Sequence, residues 1–170
     1  MTALQGVHVV EFAGIGPAPF AGMMLADMGA DVIVIERSDN ASVEHADEHR
    51  GKRRIALDLK SEAGRAAAWA LIERADVLIE GFRPGVMERL GFGPDAAAAR
   101  NAKLVYCRIT GWGQHGPLAQ AAGHDINYVS LTGAMSLPAR PGEVPMIPPT
   151  LIGDMGGGAM FAAFGVVCAL

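Results

Sequence analysis

Cysteine is almost missing from this chain, with only Cys107 and Cys168 among 170 residues. Two thiols so far apart, in no metal-ligand spacing, provide neither a disulfide framework nor a zinc site, and a reducing cytoplasm is the expected setting. An excess of charge is missing too: a net charge of −4 gives no general reason to expect nucleic acid as a partner. The first six residues lack a basic region and a long apolar stretch, so no secretory signal is expected there. Charged residues are only 19% against 51% apolar, a balance that excludes disorder and suffices for one domain with a sizeable core. Residues 156–170 are almost wholly apolar and stop without a capping residue. That run is short and glycine-rich for a membrane span, so no membrane association is expected. It reads as a core helix cut off mid-course, and the chain is therefore expected to be a fragment.

What is present is an alternation of strands and helices. Residues 7–12 form a β-branched strand, followed by a turn at Gly14-Ile15-Gly16. Pro17 and Pro19 stand where a first helical turn tolerates proline, and the helix runs through Phe20, Met23, Met24 and Met28 to a left-handed cap at Gly29. Residues 31–36 form the second strand, completing a right-handed βαβ unit. Residues 38–52, with four acidic side chains, read as an exposed polar loop. Strands are expected at 53–59, 76–80 and 104–109. Helices are expected from Ser61 as a cap, from Pro84 through Met87 and Leu90, and from Pro94. Residues 111–123 are a glycine-rich loop, 124–135 are helical, 138–149 are irregular, and Gly153-Asp154 leads into the last helix. The alternation predicts an α/β fold with an open, mostly parallel, Rossmann-like sheet and helices on both faces. Ligands of such sheets gather at the carboxyl ends of strands.

Gly14-x-Gly16, with Glu36 about twenty residues on, imitates a dinucleotide fingerprint, but the third glycine position holds Phe20 or Ala21. Pro17 and Pro19 also remove two amides that would cradle a pyrophosphate, so a nicotinamide cofactor is not expected. Arg37, Lys60, Arg83 and Arg89 follow strand ends. They fit either a multiply phosphorylated anion or a set of solvated surface charges. The stretch Gly123-His124-Asp125-Ile126-Asn127-Tyr128 puts a histidine at a helix start, where the dipole disfavours added positive charge and a neutral imidazole is available as a base. A purely structural histidine fits as well. Asp154 reads either as an N-cap or as a chemical group. Gly156-Gly157-Gly158, three poor helix formers in a row, favour a bulky group lying against that backbone. Met23, Met24, Met28, Met135, Met146, Met155 and Met160 read mainly as core filling, and otherwise as an adaptable apolar surface.

Taken in order, several motifs resemble the family III CoA-transferase and α-methylacyl-CoA racemase superfamily over nearly the whole chain. They are Leu4-x-Gly6 with Val9-Val10-Glu11, Gly14-x-Gly16-Pro17, Leu25-Ala26-Asp27-Met28-Gly29-Ala30-Asp31-Val32 and Asp58-Leu59-Lys60-Ser61. Arg83-Pro84-Gly85-Val86, Arg89-Leu90-Gly91 and Thr110-Gly111-Trp112-Gly113-Gln114-x-Gly116-Pro117 continue the series. Gly123-His124-Asp125 is similar to the racemase branch, since transferases generally lack the histidine. The resemblance implies that residues 1–170 are the N-terminal, incomplete part of a CoA-binding large domain, with a second, smaller domain absent. It implies an interlocked homodimer, a role in fatty acid metabolism, and coenzyme A present only as part of an acyl-CoA substrate, with no permanently bound cofactor and no metal.

The resemblance further implies CoA contacts from Arg37, Leu57, Asp58, Leu59, Lys60, Gly81, Phe82, Arg83, Arg89, Gly123 and Tyr128. His124 and Asp154 are then expected on opposite faces of the substrate α-carbon, with the backbone amide of Asp125 as donor to an enolate oxygen. A glutamate that pairs with the histidine in family racemases is expected beyond residue 170. The expected reaction is epimerisation of a 2-methylacyl-CoA by proton transfer. The alternatives are CoA transfer between acids with Asp154 as nucleophile, or an inactive CoA-binding fragment.

Overall fold

The computed structural model describes residues 2–37, 46–147 and 151–170. Its strands are β1 (His8–Phe12), β2 (Asp31–Glu36), β3 (Lys52–Ala56), β4 (Val77–Glu80) and β5 (Val105–Arg108). Its helices are α1 (Pro17–Asp27), α2 (Glu62–Ile72), α3 (Val86–Leu90), α4 (Pro94–Arg100), α5 (Asp125–Leu131) and α6 (Met160–Ala169), with a π-helical segment at Leu151–Ala159. The strands form one sheet in the order β3-β2-β1-β4-β5, and every neighbouring pair is parallel. This is the Rossmann-like α/β architecture that the alternation predicts.

Parallel strands covered on both faces need apolar side chains in both directions, which is why Val77, Leu78 and Ile79 are consecutive and all fully buried. Val10, Phe12, Ile35 and Leu78 pack on Trp69 and Ile72 of α2, Met87 of α3 and Ala97 of α4. The Trp69 and Phe92 rings stand 5.0 Å apart and Phe12 and Phe92 5.7 Å apart. Burying each such ring stabilises the fold by roughly 2–3 kcal/mol. On the opposite face Val9, Val32, Val77 and Ile79 meet Ala18 and Leu25 of α1 and Ala163 and Val166 of α6. The α2 start is capped as expected, with Ser61 Oγ accepting the Gly64 N–H at 3.0 Å. Gly29 takes its left-handed conformation at φ 101°.

The sequence order reverses at β1, because β2 and β3 lie on one side of it and β4 and β5 on the other. The crevice between the carboxyl ends of β1 and β4 is therefore the topological switch point, where open α/β sheets bind ligands.

Several local expectations are corrected. Lys52 does not belong to an exposed loop: it opens β3, and its side chain is fully buried. Residues 46–49 of that loop form a 3₁₀ turn (Ala46–His49), and residues 38–45, including His45, lie outside the described residues. β3 ends at Ala56 rather than 59. The helix expected over 124–135 stops at Leu131, because Gly133 takes φ 77° and starts a separate 3₁₀ turn, Ala134–Ser136. Residues 138–147 are irregular as expected, and 148–150 lie outside the described residues.

Asp154 is not an N-cap. It lies inside the π-helical Leu151–Ala159, where hydrogen bonds reach five residues back and the turn is wide. A Cβ on Gly157 would stand 2.9 Å from the Ile152 carbonyl oxygen, five residues earlier. The glycines thus serve this wide turn as well as leaving the cleft side bare.

α6 departs from a core helix. Ala163 and Val166 are buried, but Phe161 is 72% and Phe164 68% exposed. Ile152–Ala169 is long and apolar enough to cross a membrane by length and composition alone, a test that soluble core helices also pass.

Candidate active site

A cleft of about 880 Å³ opens at the switch point. Ile15, Gly16 and Pro17 after β1, Gly81–Pro84 after β4 and Ile109–Trp112 after β5 form its floor. Gly123, His124 and Tyr128 form one wall, and Gly153, Asp154, Met155 and Gly158 the other. The structure thus brings His124 and Asp154, thirty residues apart in sequence, into one cavity.

Local chemistry fixes each wall. His124 is the N-cap of α5 in extended conformation (φ −133°, ψ 176°), and its N–H donates to Asn127 Oδ1 at 2.9 Å. The loop before it is held by an edge-to-face contact of Trp112 on Tyr128, with ring centroids 4.9 Å apart. Gly123 sits in the angle between those rings: a Cβ there would be 2.7 Å from both Trp112 Nε1 and Tyr128 Cε1. Gly111 likewise has no room for a side chain beside the Tyr128 ring. These two glycines allow the loop backbone to lie against the aromatic pair.

Asp154 is half-buried, and burial pushes its carboxyl above the usual carboxylate range. The nearby Asp125 charge raises it further, whereas His124 and the Asp125 backbone N–H pull it down. A carboxyl in this setting holds a proton to higher pH than an exposed one, which suits a group that must donate as well as accept. Its Oδ2 lies 3.6 Å from the position a Cβ would take on Gly16, an ordinary contact distance, and it is the left-handed φ of 74° that favours glycine in this turn. Burial raises the Tyr128 phenol as well, and the Asp154 charge adds to that.

A second cavity of about 600 Å³ lies along the same sheet edge. Arg37, Leu57, Asp58, Leu59 and Lys60 line it, and Phe82 lines both cavities. Asp58 Oδ1 accepts the Lys60 N–H at 2.9 Å, which shapes the turn at that cavity's mouth. Phe82 is held from beneath. The buried Glu80 accepts the Phe82 N–H through Oε2 (2.7 Å) and the Arg108 Nε–H through Oε1 (3.0 Å). Burial pushes the Glu80 carboxyl up.

Of the residues expected at the site, Gly81, Phe82, Arg83, Gly123, His124, Tyr128 and Asp154 line the first cavity. Arg37, Leu57, Asp58, Leu59 and Lys60 line the second. Arg89 lines neither. It is exposed on α3, with its guanidinium folded back toward Gly85. Asp125 does not present its side chain to the cleft: the carboxylate is buried and accepts the Gly153 and Asp154 N–H groups at 2.6 and 2.7 Å. Glu48 also lines the first cavity, and nothing in its polar surroundings in the sequence singles it out. Among the described residues, no three His, Cys, Asp or Glu side chains group closely enough to hold a metal ion.

The sequence pattern of CoA-transferase family III matches residues 4–170. The chain is 47% identical to the mouse α-methylacyl-CoA racemase over 167 residues, covering 98% of this chain and 43% of that protein. It is 37% identical to the succinate–glutarate CoA-transferase of Agrobacterium fabrum, covering 89% of this chain and 43% of the relative. A crystal structure of a CaiB/BaiF family protein from Brucella suis superposes with a TM-score of 0.89 at 32% identity, over 99% of this chain and 49% of that one. The chain thus spans less than half the length of the curated relatives it matches. The extent of the match and the shared fold lead to one conclusion: this chain belongs to CoA-transferase family III.

Proposed function

We propose that the protein epimerises 2-methylacyl-CoA thioesters by proton transfer at the α-carbon, with His124 and Asp154 as the two proton carriers. The observation that carries this reading is the convergence of an imidazole and a protonatable carboxyl on one cleft at the switch point. The similarity to a mouse racemase supports it. Coenzyme A enters as part of the substrate. We assign its polar portion to the cavity bearing Arg37 and Lys60 and its pantetheine arm to the passage at Phe82, a reading supported by the place of Phe82 in the lining of both cavities.

In one direction the His124 imidazole takes the α-proton. The electron pair of that C–H bond moves toward the thioester oxygen, giving an enolate. Asp154 then delivers its proton to the opposite face, and the thioester carbonyl re-forms with inverted configuration. The reverse direction exchanges the two roles. The enolate oxygen needs a donor, and we assign that part to the Asp125 N–H at the α5 start, with the thioester oxygen taking the place of the Asp154 carboxyl that this N–H bonds here. One such donor is worth about 3 kcal/mol in the transition state.

Deuterium wash-in from heavy water at the α-carbon tests the assignment in the complete protein. His124→Ala is expected to slow wash-in at least about 100-fold from the enantiomer whose proton faces the imidazole. Undiminished label from both enantiomers excludes His124 as a base. A second reading, CoA transfer with Asp154 as nucleophile, draws on the similarity to the Agrobacterium transferase. Incubating an acyl-CoA with a free carboxylic acid separates the two, because only a transferase passes CoA to the added acid.

A further inference from the structure

Asp125 is a charged residue only 3% exposed, placed directly after His124. Its Oδ2 accepts two backbone N–H groups from a segment almost thirty residues away, Gly153 at 2.6 Å and Asp154 at 2.7 Å. Both belong to the first turn of the π-helical segment, whose N–H groups have no acceptor within their own helix. Charge-assisted bonds of this kind are about twice as strong as neutral ones. Burial leaves this carboxylate little water to exchange them for. The joint is also closely packed, because a Cβ on Gly153 would stand 2.9 Å from Asp125 Oδ2 and 3.2 Å from Val129 Cγ2. The backbone of Asp125 therefore carries His124 on one wall of the cleft while its side chain grips the other wall at the residue bearing the second proton carrier.

We propose that the Asp125 side chain is a positioning residue, which fixes the separation of His124 and Asp154 across the substrate α-carbon by bolting the first π-helical turn to the start of α5. This rests on the proton-transfer reading above. It is separate from the use of the Asp125 backbone amide, which every substitution of the side chain leaves in place. A misplaced Asp154 has a signature that general destabilisation lacks. His124 still removes and returns protons on its own face, so label enters with retention, while delivery to the opposite face fails.

The test measures wash-in and inversion together, from each enantiomer, in the complete wild-type protein and in Asp125→Ala, Asp125→Asn and Gly153→Ala. In Asp125→Ala inversion is expected to fall about 100-fold, the loss typical of a 1 Å misplacement. Wash-in from the enantiomer facing His124 is expected to fall by less than about 10-fold, so the ratio of wash-in to inversion rises at least about 10-fold. Gly153→Ala, which crowds the same joint without removing the charge, is expected to raise that ratio likewise and serves if Asp125→Ala does not fold. Asp125→Asn retains an oxygen that can accept both N–H groups and is expected to hold the ratio within about 3-fold of wild type. An unchanged ratio in folded Asp125→Ala and Gly153→Ala overturns the proposal, as does an Asp125→Asn ratio as high as that of Asp125→Ala. A wild-type protein that washes label into neither enantiomer instead removes the proton-transfer reading, and the positioning role with it.

Discussion

Replacing Glu11 by glutamine is expected to stabilise the protein at pH 8 and to change it by less than about 1 kcal/mol at pH 5. Glu11 lies on β1 beneath α1 with its side chain 1% exposed, and Lys52 Nζ, fully buried, donates to its Oε2 at 2.7 Å. Lys52 also donates to the Pro19 carbonyl at 2.7 Å, and Glu11 Oε1 has no hydrogen-bond partner among the described residues. Gly22 of α1 has no room for a side chain above the carboxylate. Two effects compete here. The ammonium favours the charged carboxylate, and burial opposes it; burial is the larger, pushing Glu11 up to about 7 from its ordinary 4.5. The folded state therefore keeps this proton to higher pH than the unfolded chain does. Between pH 4.5 and 7 it binds more protons, and stability falls as pH rises through that window. At about 1.4 kcal/mol per pH unit the loss is at most about 3.5 kcal/mol, complete near pH 8. Glutamine mimics the protonated acid and still offers an oxygen to Lys52, so Glu11→Gln removes the dependence. Urea unfolding of both proteins at pH 5 and pH 8 measures it, the pH-dependent difference between them cancelling the other titrating groups. If attraction to Lys52 dominates instead, Glu11→Gln strands a buried cation and costs about 3–5 kcal/mol at pH 8. That result would refute the reasoning.

Arg108→Ala leaves Glu80 without its guanidinium and loosens the turn carrying Phe82. The expected outcome is a loss of about 1.5–3 kcal/mol in stability, with a rise in KM for acyl-CoA larger than any fall in kcat, read from urea unfolding and steady-state kinetics. Gly123→Ala drives a methyl group into the Trp112–Tyr128 pair. It is expected to cost about 1–3 kcal/mol and to change the near-ultraviolet circular dichroism of the two rings. Burial pushes the Cys107 thiol up to about 11, whereas Cys168 is exposed. Iodoacetamide at pH 8 is therefore expected to label Cys168 first, as read by peptide mass spectrometry, and labelling of both thiols at equal rates would contradict the burial.

The sheet was legible because parallel strands buried on both faces produce unbroken apolar runs, and Val77-Leu78-Ile79 and Asp31-Val32-Ile33-Val34-Ile35-Glu36 could hardly be anything else. The α1 boundaries were legible from two prolines at one end and a left-handed glycine at the other. The surroundings of Asp154 were not. A run of three glycines announces an unusual backbone but does not distinguish a capped α-helical start from a π-helical turn, since both begin with amides seeking an acceptor. The acceptor that decides the matter, Asp125 Oδ2, comes from another element. Lys52 was misread for a similar reason. A lysine beside Arg53 and Arg54 looks solvated, and only the pairing of β3 at the sheet edge turns its ammonium inward toward Glu11.

These hidden features share a geometry that bears on the chemistry. Each is a buried carboxylate that accepts from backbone amides or a cation and thereby fixes a segment of the cleft lining. Glu11 and Lys52 hold the first turn of α1 next to Gly16, Glu80 and Arg108 hold Phe82, and Asp125 holds Asp154. All three segments line the same cleft. A carboxylate taken out of water is an expensive way to fasten a loop if packing alone will serve. Its advantage is direction, because a hydrogen bond to a specific amide fixes orientation, where apolar contact fixes only proximity. Proton transfer to two faces of one carbon tolerates little error in either quantity. Buried acids beneath the walls, rather than a larger apolar core, suit the proton transfer proposed above.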